Sequence, residues 1–151
     1  MRVAVLGLGA IGTLTARTLA ERATVVGIDR TKAPLAPDVA PVDVAIVTVK
    51  TPGDAWAADV ASRILAPGGT VLTIQNGLGH QERFAAAVGA DRVAVGVIYV
   101  GASLEHGELR STGPARLELG RAQHIEAIAR LLTEGGMTVE VVADQIGRAH
   151  V

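Results

Sequence analysis

Apolar residues along this 151-residue chain follow two alternating rhythms. Val3-Ala4-Val5-Leu6 is a continuous apolar run. After it, Ile11, Leu14, Thr15, Thr18 and Leu19 recur every three or four positions. The first rhythm predicts a strand covered on both faces, the second a helix laid against it. The alternation continues with predicted strands over 24–29, 42–49, 70–74, 92–100 and 138–142, and helices over 54–65, 81–88 and 122–132. Pro34, Pro37 and Pro41 mark 31–41 as a loop, Pro67-Gly68-Gly69 ends the helix before it, and Glu105-His106-Gly107 reads as a turn. Segments 108–111 and 116–119 are expected to pair around Gly113-Pro114 as an antiparallel addition. Strand–helix alternation builds βαβ units, so the predicted class is α/β, a doubly wound, mostly parallel sheet with helices on both faces.

The first strand runs into Gly7-Leu8-Gly9-Ala10-Ile11-Gly12. Gly7 suits a tight turn, Gly9 lets backbone approach a pyrophosphate, and Gly12 lets the helix pack closely on the strand, a Rossmann-like dinucleotide-binding signature. Met1-Arg2 before an apolar run also fits a secretory signal. The three glycines interrupt that run, and Arg17, Glu21 and Arg22 stand where a cleavage region is small and neutral. The chain is therefore expected in the cytoplasm.

A hydrophobic fraction of 49% over 151 residues suffices for one domain. A net charge of -1 and an aromatic content of 2% argue against a nucleic-acid partner. The apolar stretch 93–100 is broken by Gly96 and is too short to span a bilayer. With no cysteine there is no thiol chemistry, and the four histidines lack metal-ligand spacing, so no metal is assigned. Asp43, Asp54 and Asp59 form no evident carboxylate pair. His80 and Glu82 read as helix-start polarity, His124 as an exposed residue, and Trp56 as a packing or interface residue.

Ligands of open α/β sheets sit beyond the carboxyl ends of the strands. Lys50 follows the third strand and Asn76, in Gln75-Asn76-Gly77-Leu78-Gly79, the fourth. An ammonium and an amide there can hold a carbonyl substrate and offset its developing oxyanion. On spacing alone, Lys50 is equally a solvated loop lysine and Asn76 a turn former before Gly77.

Taken together, Gly7–Gly12, Thr48-Val49-Lys50-Thr51, Gln75–Gly79, Gly96-Val97 and Gly101-Ala102 resemble the ketopantoate reductase (2-dehydropantoate 2-reductase) family. The resemblance runs from the first strand to about Asp144, covering the family's cofactor-binding half. It implies NADPH-dependent reduction of a small 2-oxo acid, 2-dehydropantoate, to (R)-pantoate in pantothenate and coenzyme A biosynthesis. It also implies that Lys50 and Asn76 lie near nicotinamide and substrate. The family's all-helical second domain, which brings the general-acid lysine, is absent from this sequence.

Asp29-Arg30 closes the second predicted strand with opposed signals, since an acid there grips a ribose diol and an arginine a 2′-phosphate. The resemblance places Arg30 on the family's phosphate-binding arginine, with Lys32 to assist, so NADP is expected and NAD is the alternative. The segment from Arg30 to Pro41 is shorter than the family's. Residues 1–144 are read as the dinucleotide-binding domain. Residues 145–151 are read as a non-native tail, because Ile146-Gly147-Arg148-Ala149-His150-Val151 looks like a translated adapter. A truncated reading frame is expected to turn over little. Two other readings stand beside this one: the cofactor half of another two-domain dehydrogenase, and a non-enzymatic nucleotide-sensing module. The residues leave open whether the full-length protein is a homo-oligomer.

Overall fold

The structure is a computed structural model and describes residues 1–30, 39–50, 53–74 and 80–142. Lys32, Asn76 and the segment 145–151 lie outside the described residues. The elements follow the expected order: β1 (Arg2–Leu6), α1 (Ala10–Leu19), β2 (Thr24–Ile28), β3 (Val42–Val47), α2 (Asp54–Ile64), β4 (Leu65–Thr73), α3 (His80–Val88) and β5 (Val93–Tyr99). After these come β6 (Ala102–Glu105), β7 (Glu108–Ser111), β8 (Arg116–Gly120), α4 (Ile125–Glu134) and β9 (Thr138–Val142).

Seven strands form one Rossmann-like sheet in the order β2-β1-β3-β4-β5-β8-β9. Every neighbouring pair is parallel except β5 with β8. The chain winds outward from β1 to β2, then restarts on the other side of β1 at β3. Right-handed crossovers in opposite directions place their helices on opposite faces. Side-chain alternation along the strands shows it: Val3, Val44 and Ile46 share one apolar layer with Leu19 of α1, whereas Leu6, Ala45 and Val47 share the other with Val60 of α2 and Phe84 of α3. From β5 the chain keeps travelling outward to β8 and β9, but the strand direction reverses at β8, so a right-handed crossover returns α4 to the α1 face, where Ile125, Ile128 and Leu132 are buried.

Two expectations about pairing are corrected. Segment 108–111 does not pair with 116–119 but with β6, in register from Ala102↔Ser111 to Glu105↔Glu108. His106 and Gly107 both have positive φ, 52° and 79°, which suits a two-residue turn whose twist matches that of the paired strands. Leu117 and Leu119, 1% and 0% exposed, instead carry β8 into the main sheet beside β5. Pro67-Gly68-Gly69 also falls inside β4 rather than only ending a helix, because α2 stops at Ile64 and Leu65 pairs with Val42. A register shift between Val42 and Val44 takes up the irregularity. The guanidinium of Arg92 donates to the carbonyls of Gly69 and Ala66 at 3.0 and 2.8 Å, satisfying this stretch.

Candidate active site

Beyond the carboxyl ends of β1, β2, β3 and β4 opens a cleft of about 950 Å³, at the point where the winding reverses. The glycine turn forms its floor. Gly7 has φ +103°, and a Cβ there would lie 2.7 Å from Val49 Cγ1, so the position needs glycine for backbone and space alike. Gly7 N–H donates to Ile28 O at 2.9 Å, and the Thr48 hydroxyl donates to Gly7 O at 2.6 Å. The turn is thus tied to both neighbouring strand ends. Replacing Thr48 with valine keeps its shape and removes that donor; an expected loss of about 1–2 kcal/mol would show as a lower urea midpoint, and an unchanged midpoint would contradict the assignment.

Gly12 is buried where α1 crosses the turn, and a Cβ on it would collide with the carbonyl oxygen of Gly7 and stand 2.6 Å from the Thr48 hydroxyl. Gly9 differs from both. Its φ of -72° suits any residue, and a Cβ there would meet nothing within 4 Å. Gly9 caps α1 without a side chain, and Gly9, Ala10 and Ile11 all line the cleft. The first-turn N–H groups of a helix have no intrahelical acceptor and carry the positive end of its dipole, which makes this an anion site. The space above Gly9 is open to the cleft.

Asp29 and Arg30, at the end of β2, and Lys50, beyond β3, line the same cleft. The structure therefore brings together Gly7, Gly9, Ala10, Ile11, Asp29, Arg30 and Lys50. Leu8 is placed differently: its side chain packs over Gly27 of β2, 3.0 Å from where a Cβ on that residue would lie. Gly12 acts beneath the turn rather than in the cleft. The same cleft has apolar lining that sequence reasoning missed, made of Ile74 after β4, Ile98 and Val100 around the end of β5, and Leu104 of the ribbon. The strand-end rule, applied to the 92–100 segment, signals Ile98 and Val100; nothing local signals Leu104.

Tyr99 alternates away from that lining and is exposed, with the Arg116 guanidinium 4.9 Å from its ring centroid. Its phenol is held above the ordinary range first by its hydrogen bond to the Glu118 carboxylate and also by desolvation and that carboxylate's charge, partly offset by Arg116. It keeps its proton and lies outside the cleft.

His80 makes a contact that its sequence position did not signal. It opens α3, as helix-start polarity requires, but it is 6% exposed and its Nδ1 lies 2.6 Å from Oδ2 of Asp54, itself 6% exposed, so the histidine is one member of a buried pair. His124 is half-buried rather than exposed, and precedes α4 with φ 68°. Asp43 accepts Arg2 N–H at 2.9 Å, and Asp59 meets Arg63 at 3.3 Å. Trp56 packs partly buried against the α2–α3 layer. A smaller cavity of about 350 Å³ beside the start of α4 contains none of the residues selected for the dinucleotide site. Among the described residues no helix is long and apolar enough to cross a membrane.

The geometry accords with the comparisons. The family profile of ketopantoate reductase PanE/ApbA matches residues 30–124. A 2-dehydropantoate 2-reductase of Halobacterium salinarum is 36% identical over 111 residues, which are 70% of this chain and 36% of that protein. The crystal structure of 2-dehydropantoate 2-reductase from Geobacter metallireducens superposes with a TM-score of 0.79 at 25% identity, covering 94% of this chain and 58% of that one. D-mandelate dehydrogenase, solved with NADH and anilino(oxo)acetate, shares the fold with a TM-score of 0.80 at 21% identity, covering 94% of this chain and 57% of that one. The chain thus spans between about a third and three fifths of these relatives. With a profile match over more than half of its length, the chain belongs to the ketopantoate reductase PanE/ApbA family.

Proposed function

We propose that this chain is the cofactor-binding part of an NADPH-dependent 2-oxo acid reductase whose substrate is 2-dehydropantoate and whose product is (R)-pantoate. The observation that carries the reading is Gly9: neither its backbone nor its neighbours require glycine, yet a side chain there would enter the cleft at the uncapped start of α1. Bound NADPH supplies a hydride to the substrate carbonyl. The chain's own residues hold and orient. First-turn N–H groups of α1 receive the diphosphate. Arg30 receives the 2′-phosphate, and Asp29 stands where a ribose hydroxyl is recognised. Lys50, with Asn76 as its expected companion, binds the nicotinamide end of the cofactor and places positive charge where the carbonyl oxygen gains electrons. Ile74, Ile98 and Val100 supply the apolar lining that keeps water from the cleft. The general acid and remaining substrate contacts are assigned to the part of the full-length relatives that this chain does not span.

Titration by nucleotide fluorescence is expected to give tighter binding of NADPH than of NADH, and Arg30→Ala is expected to remove most of that preference, about tenfold. Equal affinities in the unaltered chain would overturn the NADP assignment. Asp29 in the cleft favours a second reading, an NAD-linked dehydrogenase of another 2-oxo acid. A reversed preference would select it. Assay of a full-length protein carrying this domain with 2-dehydropantoate tests the substrate: no NADPH consumption by folded, nucleotide-binding enzyme would reject it.

A further inference from the structure

Asp54 and His80 are the first residues of α2 and α3, 26 positions apart, and their side chains meet at 2.6 Å with 8% and 7% exposure. Neither lines the cleft. Taking a carboxylate and an imidazole out of water is costly, and their mutual contact offsets part of that cost. Apolar packing already joins the two helices, since Phe84 shares one buried layer with Ala57, Val60 and Ala61. What the polar pair adds is a defined position for the first turn of α2.

That turn anchors Lys50. Gly53, at the N-cap of α2, donates its N–H to the Lys50 carbonyl at 2.7 Å. A Cβ on Gly53 would lie 2.9 Å from Val49 Cβ, so the backbone before Lys50 is packed against the start of the helix. We propose that the His80–Asp54 pair positions Lys50 at the cleft, acting through the first turn of α2 and the Gly53–Lys50 hydrogen bond. His80 is a positioning residue. The proposal rests on the cleft being an NADPH site, and the test separates the two.

Calorimetric titration of the 151-residue chain with NADPH compares the unaltered protein with Lys50→Ala, His80→Ala, the double variant and His80→Asn, alongside their melting temperatures. Lys50→Ala and His80→Ala are each expected to weaken NADPH binding about tenfold, with the double variant no weaker than Lys50→Ala alone. His80→Asn retains an N–H donor for the carboxylate and is expected to recover most of the affinity. A pair that merely holds helices together would lower the melting temperature of His80→Ala with NADPH affinity unchanged, or its loss would multiply with that of Lys50→Ala. Either result overturns the positioning role. If His80→Ala does not fold, Asp54→Asn carries the same comparison. No uptake by the unaltered chain would instead overturn the proposed function, whereas normal uptake with the failures above overturns only the positioning role.

Discussion

Gly9→Asp is expected to lower NADPH affinity at least about a hundredfold, close to 3 kcal/mol, while leaving the fold as stable as before or slightly more stable. Gly9 is the N-cap of α1, with φ -72° and ψ -161°, a conformation that aspartate adopts freely. Its side chain would find open space rather than protein. As an N-cap, aspartate accepts a hydrogen bond from a first-turn N–H and complements the dipole. The same carboxylate then occupies the anion site and repels a diphosphate. Stability and binding are expected to move in opposite directions, which a denaturant melt and a nucleotide titration on one preparation will show. Undiminished NADPH affinity in the folded variant would mean that no diphosphate rests above Gly9.

Gly12→Ala is expected to behave in the contrary way, costing about 2–4 kcal/mol of folding stability. Helix propensity alone favours alanine over glycine by about 1 kcal/mol. Here the added Cβ would run into the Gly7 carbonyl oxygen, which is backbone and is already engaged by Thr48 at 2.6 Å. Either α1 shifts off the sheet or the glycine turn distorts, and Gly12 and Leu19 lose part of the contact that buries them. Urea unfolding measures the balance. A stability gain near the propensity value would show that helix and turn relax at no cost. Under the proposed function, two glycines three positions apart in one motif serve different ends, Gly9 the diphosphate and Gly12 the packing.

Much of this was legible in one dimension. The apolar runs at Val3–Leu6 and along 42–47 are short, continuous and rich in valine, as strands covered on both faces must be. The spacing of Ile11, Leu14 and Leu19 repeats with the turn of a helix. Asp29, Arg30 and Lys50 could be selected because they follow such strands, and parallel strands all deliver their ends to one edge. The ribbon was misread because Gly113-Pro114 and His106-Gly107 are both turn dipeptides. Choosing between them depends on where Leu117 and Leu119 find a core, which is a property of β5 and not of the local sequence. The apolar lining is equally non-local: Ile74 follows β4, Ile98 lies on β5 and Leu104 on the separate β6–β7 ribbon, and they converge only when ribbon and main sheet are packed together.

The alternation of apolar period and the glycine spacing by themselves determined the α/β class, the order of most elements and the residues of the glycine turn, since each depends on contacts a few positions apart. Tertiary structure alone decided that Gly9 faces open space while Gly12 faces backbone, that Leu8 covers Gly27, and that His80 meets Asp54 across 26 positions. Such distinctions depend on which side of a crossing each atom lies, and that is settled only when strands and helices are packed in three dimensions.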